Sequence, residues 1–371
     1  MSELDPNAVT LTVDGMDYAG WKDVSISAGI ERQARDFTLS ITWRWPGQDI
    51  EIPIEQGARA EVRIGADLVL TGWVFATPRR YDAQSITLGI SGRSLTADLV
   101  DCSAINNPGQ WRNQSVQRIV AALAGEYGVK VRSEVAETAT LVDHTIEPGE
   151  TVFESIDRLL TLSRLLSSDD GAGRLVIVEP GSAGRAHDKL EAGKNILTGD
   201  GPLDFSGVFS EYRVIGQQRG TDEVFGAAAS EVQASATDPR TARRRVLVIN
   251  QSGQLTTALA QDRANWERGN RIGKALAFTY TVQGWRQSNG ALWVPNLIVR
   301  VVDPLMGLDR DMLISEVAYS QSSGGTIATL TVAPPDAFLP EPKDPHRKRK
   351  LKKGGKADNF EYLLPADWDK E

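Results

Sequence analysis

Short runs in which apolar and polar residues alternate one for one, each closed by a turn pair, fill the first ninety residues. Val9, Leu11 and Val13 make one such run, and Phe37, Leu39 and Ile41 another; Ile50, Ile52 and Ile54 follow, then Ile86, Leu88 and Ile90. A strand turns successive side chains to opposite faces, so each run buries one face and wets the other. Asp14-Gly15, Pro46-Gly47, Gln56-Gly57 and Gly65-Ala66 supply the turns. Gaps this short leave no room for the crossover helix of a parallel unit, and the pattern predicts an antiparallel barrel or sandwich.

At Ser115 the period changes. Val116, Ile119, Val120, Leu123, Ala124 and Tyr127 form one helical stripe, with Ser115 placed as N-cap and Gly128 as the stop. A second helix is expected from Thr151, which with Glu154 makes a capping box, and it turns Phe153, Ile156, Leu159, Leu160 and Ser163 inward. Asp169-Asp170-Gly171 then turns the chain into a strand over residues 174–178. These elements predict a small α+β domain.

Strand character returns at residues 212–215. The segment GAAASEVQASATDPRTARRR that follows is small and polar, with too few large apolar residues to bury itself, and reads as an exposed loop over 216–245. A helix is expected over 257–275, with Arg263 and Glu267 pairing across a solvent face. Strands resume at 277–282, 297–302, 312–318 and 326–332. Residues 57–92 and 295–332 share one order: strand, turn, apolar strand, polar loop, then a Ser/Thr-rich strand. Any two antiparallel meanders share such an order, so the pattern alone leaves duplication and coincidence equally open.

The expected fold is mainly β with an α+β insertion: two related antiparallel β-barrel-like domains plus small α/β domains. The division runs 1–98 for the first β domain, 99–205 for the α+β domain, 206–335 for the second β domain and 336–371 for a Pro-rich linker and basic tail. With 371 residues the chain is long enough for several cores. Its single cysteine, Cys102, excludes an intrachain disulfide and a Cys-rich zinc site, and suits a reducing cytoplasm. The opening residues lack the basic and apolar regions of a signal peptide, and no run reaches the ~18 apolar residues of a membrane span.

The net charge of -8 conceals an asymmetry. Residues 343–356 carry eight Lys or Arg against one Asp. The tail is basic and the body correspondingly acidic, which makes the body a poor nucleic-acid binder, since phosphate affinity comes from cations and counterion release. An acidic wall also suits a conduit past which DNA slides without sticking.

Catalytic signatures are few. No GxSxG elbow or HExxH helix occurs, and neither GNRIGKA at 269–275 nor GAGRLV at 171–176 completes a phosphate-binding pattern; both read as structural glycines. No cofactor or metal is called for. The remaining option is a carboxylate pair for cell-wall glycan cleavage, from Glu147, Glu150, Glu154, Asp169 and Asp170. The stretch HTIEPGETVFESIDRLL also looks like the start of a glycan-binding LysM module, although a good helix start explains it equally. Trp43 and Trp45 share a strand face, as a stacking platform or as barrel packing.

The order of residues from 92 to 180 adds a likeness. Gly92-Arg93-Ser94 ends a strand, Asp98-Leu99 and Asp101-Cys102-Ser103 follow, then a helix, then Pro148-Gly149-Glu150-Thr151. In this the chain resembles the baseplate hub proteins of contractile-tailed, Mu-like phages, the late-control D group. The resemblance implies a virion structural protein rather than an enzyme, located in the tail baseplate after assembly in the host cytoplasm. It implies a homotrimer in which two barrels per chain present six units to the tail tube and threefold symmetry to the central spike, with an axial passage for DNA. The alternative is a peptidoglycan-binding or cell-wall-degrading tail protein. Partner contacts are expected from the tail: Arg347, Lys348, Arg349, Lys350, Lys352 and Lys353 for long-range attraction, and Phe360, Tyr362 and Trp368 as an apolar anchor.

Overall fold

The alternating runs pair into one large sheet. The computed structural model describes residues 5–42, 54–81, 86–136, 138–217 and 231–342. Among the described residues fourteen strands belong to this sheet. From one edge its path runs Ile196–Asp200, Phe278–Gln283, Gly325–Ala333 and Leu308–Ser322. It continues through Asp23–Gly29, Asp36–Thr42, Ile86–Ser94, Asp67–Ala76, Arg59–Ile64 and Val9–Val13 to Met16–Tyr18. Ile298–Asp303 pairs with Leu308–Ser322, and Arg79–Tyr81 with Ile86–Ser94. The Ile50 and Ile52 positions, and Trp43 and Trp45, lie outside the described residues.

The two meanders meet where Asp23–Gly29 pairs antiparallel with Leu308–Ser322, from Glu316 opposite Gly29 to Gln321 opposite Val24. On either side of this joint the strand order repeats. A bulge falls between Ile314 and Glu316 in one half and between Val74 and Ala76 in the other. A single apolar core crosses the joint, including Phe37, Leu39, Leu70 and Ile90 from one half and Tyr280, Trp285 and Leu330 from the other. Trp285 is fully buried and donates its indole N–H to the Ser320 and Ile327 carbonyls at 3.2 and 2.9 Å. Arg286 staples the halves together, donating to Pro6 O at 2.8 Å, Ile64 O at 3.0 Å and Asp67 at 2.7 Å.

The inserted module holds three helices, α1 (Ala97–Asp101), α2 (Val116–Gly125) and α3 (Val152–Leu162). Ser115 caps α2 by accepting from the Arg118 N–H, and Gly128 leaves it at φ +70°. At α3 the capping box forms in both directions. The inward stripe of α3 differs from expectation by one residue: Val152, not Phe153, is fully buried, because the capped first turn rotates Val152 onto the core. Ser155 is buried there too and its hydroxyl meets His144 Nε2 at 2.9 Å, while Ser163 is only the C-terminal cap.

The next helix among the described residues, α4 (Thr257–Ala275), spans the predicted residues. It lies on a three-stranded sheet whose centre, Glu211–Gln217, pairs antiparallel with Glu231–Thr237 and parallel with Val246–Gln254. This corrects the exposed-loop reading of 216–245. Val232, Ala234 and Ala236 alternate inward against Ala260 and Ala264 of α4; small side chains suffice because helix and sheet approach closely. Residues 218–230 lie outside the described residues. The Arg263–Glu267 pair also differs from expectation: it faces inward, with Glu267 only 7% exposed and accepting from Arg271 Nε at 2.6 Å. Gly273 permits a close crossing, since a Cβ there would sit 2.2 Å from that of Ala337.

Candidate assembly surfaces

The carboxylates singled out as a catalytic option are each engaged. Arg158 binds Glu147 at 2.8 Å and grips both oxygens of Glu150 at 2.8 and 2.9 Å. Glu154 is consumed by the capping box, accepting from the Thr151 N–H at 2.8 Å. Asp170 closes its own hairpin through Arg174 Nε at 2.7 Å. Burial pushes the Glu150 carboxyl above its usual range, against the pull of Arg158. A carboxylate whose two oxygens both accept from one guanidinium nitrogen is a structural partner, poorly placed to pass a proton to a glycosidic oxygen.

Asp169 has a different task. It is 4% exposed and fixes the inserted module to the large sheet: its oxygens accept from the Arg35 N–H at 3.0 Å and Arg35 Nε at 2.9 Å. Burial pushes its carboxyl up, and Arg35, Ser94 and the backbone bond draw it back. Arg35 further reaches Val69 O at 3.1 Å and Asp169 O at 2.8 Å. Around this lock Thr71 donates to Gly171 O at 2.9 Å and Ser168 to Gly29 O at 3.1 Å. Gly171 makes the approach possible, because a Cβ there would fall 2.1 Å from Leu68 O. The hairpin glycine thus serves packing between modules, and Gly173, at φ +72°, serves the turn.

The expected partner-binding residues Arg347, Lys348, Arg349, Lys350, Lys352, Lys353, Phe360, Tyr362 and Trp368 lie outside the described residues. Just before them, Pro342 lines a groove of about 570 Å³ between α4, the end of α3 and the residues after Ala333. Within its lining Arg164 pairs with Asp262 at 2.8 Å and Arg240 with Asp238 at 3.2 Å.

Other surface features escaped the sequence reading. Phe75, Leu197, Leu203 and Phe205 are 44%, 54%, 40% and 38% exposed, and Leu305, in the turn between Ile298–Asp303 and Leu308–Ser322, is 90% exposed. That turn is rigid, since the buried Asp303 accepts from the Leu305 N–H at 3.0 Å and from the Tyr280 hydroxyl at 3.0 Å. Large apolar residues in a turn or beyond a strand's alternating run were the available signal.

Comparison with known proteins places these features. Residues 8–94 match the N-terminal domain model of the Mu phage baseplate assembly protein GpP-like family, residues 96–179 the second domain of baseplate hub protein gp44-like proteins, and residues 256–341 the fourth domain of Mu phage baseplate assembly protein GpP. The baseplate hub protein gp44 of Escherichia phage Mu is 33% identical over 372 residues, 98% of this chain and 96% of that protein. The chain belongs to the Mu-like baseplate hub family. Among solved structures, the 43 kDa tail protein of prophage MuSo2 from Shewanella oneidensis is similar with a TM-score of 0.80 and 33% identity, covering 90% of this chain and 100% of that one. A tail protein from Neisseria meningitidis shares the fold with a TM-score of 0.75 at 24% identity, covering 90% and 98%. The mainly β architecture with several antiparallel sheets is therefore that of this baseplate hub family, and the chain is a phage tail structural protein. No helix among the described residues is long and apolar enough to cross a membrane.

Proposed function

We propose that this baseplate hub protein works as a closed homotrimer, a ring that joins the tail tube to the central spike and leaves an axial passage for DNA. The strand-order repeat within the large sheet carries the reading. Two copies per chain make six near-equivalent units in a trimer, which suits a sixfold tube on one side, while the threefold axis suits a spike on the other. The acidic body gives DNA little to bind during passage. The carboxylates between Glu147 and Asp170 act as structural partners, and no catalytic step is assigned to them. Mass in solution and electron microscopy test the ring: a trimer with a central hole is expected. A chain that remains monomeric at micromolar concentration with its melting transition intact sinks the proposal.

The tail is assigned the role of tether. Arg347 to Lys353 supply long-range attraction to a baseplate partner, and Phe360, Tyr362 and Trp368 the apolar anchor. Removing residues 342–371 should leave the trimer folded and lower the yield of assembled particles. Charge reversal in the basic run should slow association more than it speeds dissociation. Normal particle yield from the truncated protein rejects the tether, and preference of the isolated tail peptide for duplex DNA over tail proteins replaces it with a nucleic-acid role.

A further inference from the structure

Each half of the large sheet holds one hairpin that can be matched to the other strand for strand. Arg59–Ile64 runs beside Asp67–Ala76, with Arg59 opposite Trp73 and a bulge between Val74 and Ala76. Ile298–Asp303 runs beside Leu308–Ser322, with Ile298 opposite Leu313 and a bulge between Ile314 and Glu316. Arg59–Ile64 and Ile298–Asp303 are both six residues long, so Ile64 stands where Asp303 stands. The turns that follow them differ. Gly65 and Ala66 make a tight turn that the other half of the chain holds: Arg286, 17% exposed, donates to Ile64 O at 3.0 Å and to Asp67 at 2.7 Å. Residues 304–307 make a longer turn, and among the described residues its hydrogen bonds are all local.

A second pair of strands follows the same match. Ser91 opposes Thr38, which opposes Ser25; Thr331 opposes Thr279, which opposes Asp200. Ile196–Asp200 is therefore the counterpart of Asp23–Gly29. Within the chain, Asp23–Gly29 and the turn at residues 65–66 both meet the second half, the one through the ladder to Leu308–Ser322 and the other through Arg286. Their counterparts in the second half are open. Among the described residues no strand lies along the outer edge of Ile196–Asp200, where Leu197 is 54% exposed, and Leu305 at the turn is 90% exposed.

We propose that the turn at residues 304–307 seats Leu305 of one copy against the first half of the next copy, repeating between chains the hold that the second half has on residues 65–66 within a chain. This rests on the ring reading above. The chemistry of the two contacts differs: Arg286 reaches carbonyls and a carboxylate, whereas the contact between copies is apolar and calls for a hydrophobic recess on the receiving copy. Turns take Gly, Asn, Asp or Ser for their own conformation, so a leucine at the tip serves nothing inside this chain. It is also presented rigidly. Asp303, 4% exposed, accepts from the Leu305 and Met306 N–H groups at 3.0 and 3.3 Å and from the Tyr280 hydroxyl at 3.0 Å. A knob already fixed in place loses little freedom on docking.

Photo-cross-linking of the full-length protein tests the contact. A benzophenone side chain placed at Leu305 should give covalent dimers and trimers on illumination, and peptide mapping should find the attachment within residues 1–94 of the other copy. The same probe at Ala66 should cross-link only within its own chain. Leu305→Asp should weaken the trimer about tenfold or more while leaving the melting transition of the chain in place, because the side chain makes no contact that the fold needs. A protein that is trimeric by mass yet gives no cross-link between copies from position 305, or attaches there to the second half of its neighbour, overturns the contact and leaves the ring standing. A Leu305→Asp trimer as tight as the parent does the same, and a parent protein that is monomeric overturns both.

Discussion

The helices α2 and α3 and the helix α4 are buried by opposite means. The first two press a stripe of large residues, Ile119, Leu123, Ile156, Leu159 and Leu160, into a core shared with Leu175 and Ile177. α4 brings Ala260 and Ala264 down onto Val232, Ala234 and Ala236. Large side chains gain more from leaving water, whereas small ones gain by letting backbones approach. Their ionic anchors differ as well. Asp169, beyond α3, is bound by Arg35 of another module, while Glu267 is bound by Arg263 and Arg271 of its own helix. One module is locked from outside and the other from within.

The comparison can be broken most severely at Ile119, which is 1% exposed. Ile119→Asp buries an unpaired charge and should cost about 4 kcal/mol or more, seen as a large fall in the melting midpoint. An unchanged melting curve would make that face a surface. Asp169→Asn should cost about 3 kcal/mol, because it leaves the Arg35 guanidinium without its counter-charge; urea titration measures it. Ala264→Leu should cost about 2 kcal/mol by overpacking a contact built for small residues. Stability equal to or above that of the parent would show that α4 is loosely seated and would dissolve the contrast with α2. The smallest effect is expected at the α3 cap, where Thr151→Ala should remove about 1 kcal/mol, within reach of paired thermal melts.

The same contrast explains what could be read in advance. Stripes of large residues announced α2, α3 and the strands of the big sheet, and side-chain caps announced where the helices begin, because both signals are local. The strand Glu231–Thr237 went unseen since alanine and serine at alternate positions resemble a linker until a helix lies on them. The inward turn of Glu267 was hidden for a similar reason: its arginines lie on its own helix, but the chain after Ala333 that meets this face, through Glu341 on Arg263, comes from far along the sequence. Asp169 looked like a catalytic candidate because its partner, Arg35, is 134 residues away. The glycan option arose from carboxylates close in sequence, which the fold pairs off with Arg158, Arg35 and Arg174 or, for Glu154, with the cap of α3. The exposure of Phe75 and Phe205 becomes visible only in the folded chain.

The pairing of Asp23–Gly29 with Glu316–Gln321 has a consequence for biosynthesis. At translation rates of about 5–20 residues per second, the roughly 290 residues between these strands take about 15 to 60 s to emerge. For that interval the first strand offers one bare edge to any neighbouring nascent chain, and its alternating Val24, Ile26 and Ala28 suit it to wrong partners. Correct closure waits for nearly the last strand to be made, so the hub completes its first module only when the second is ready to receive it.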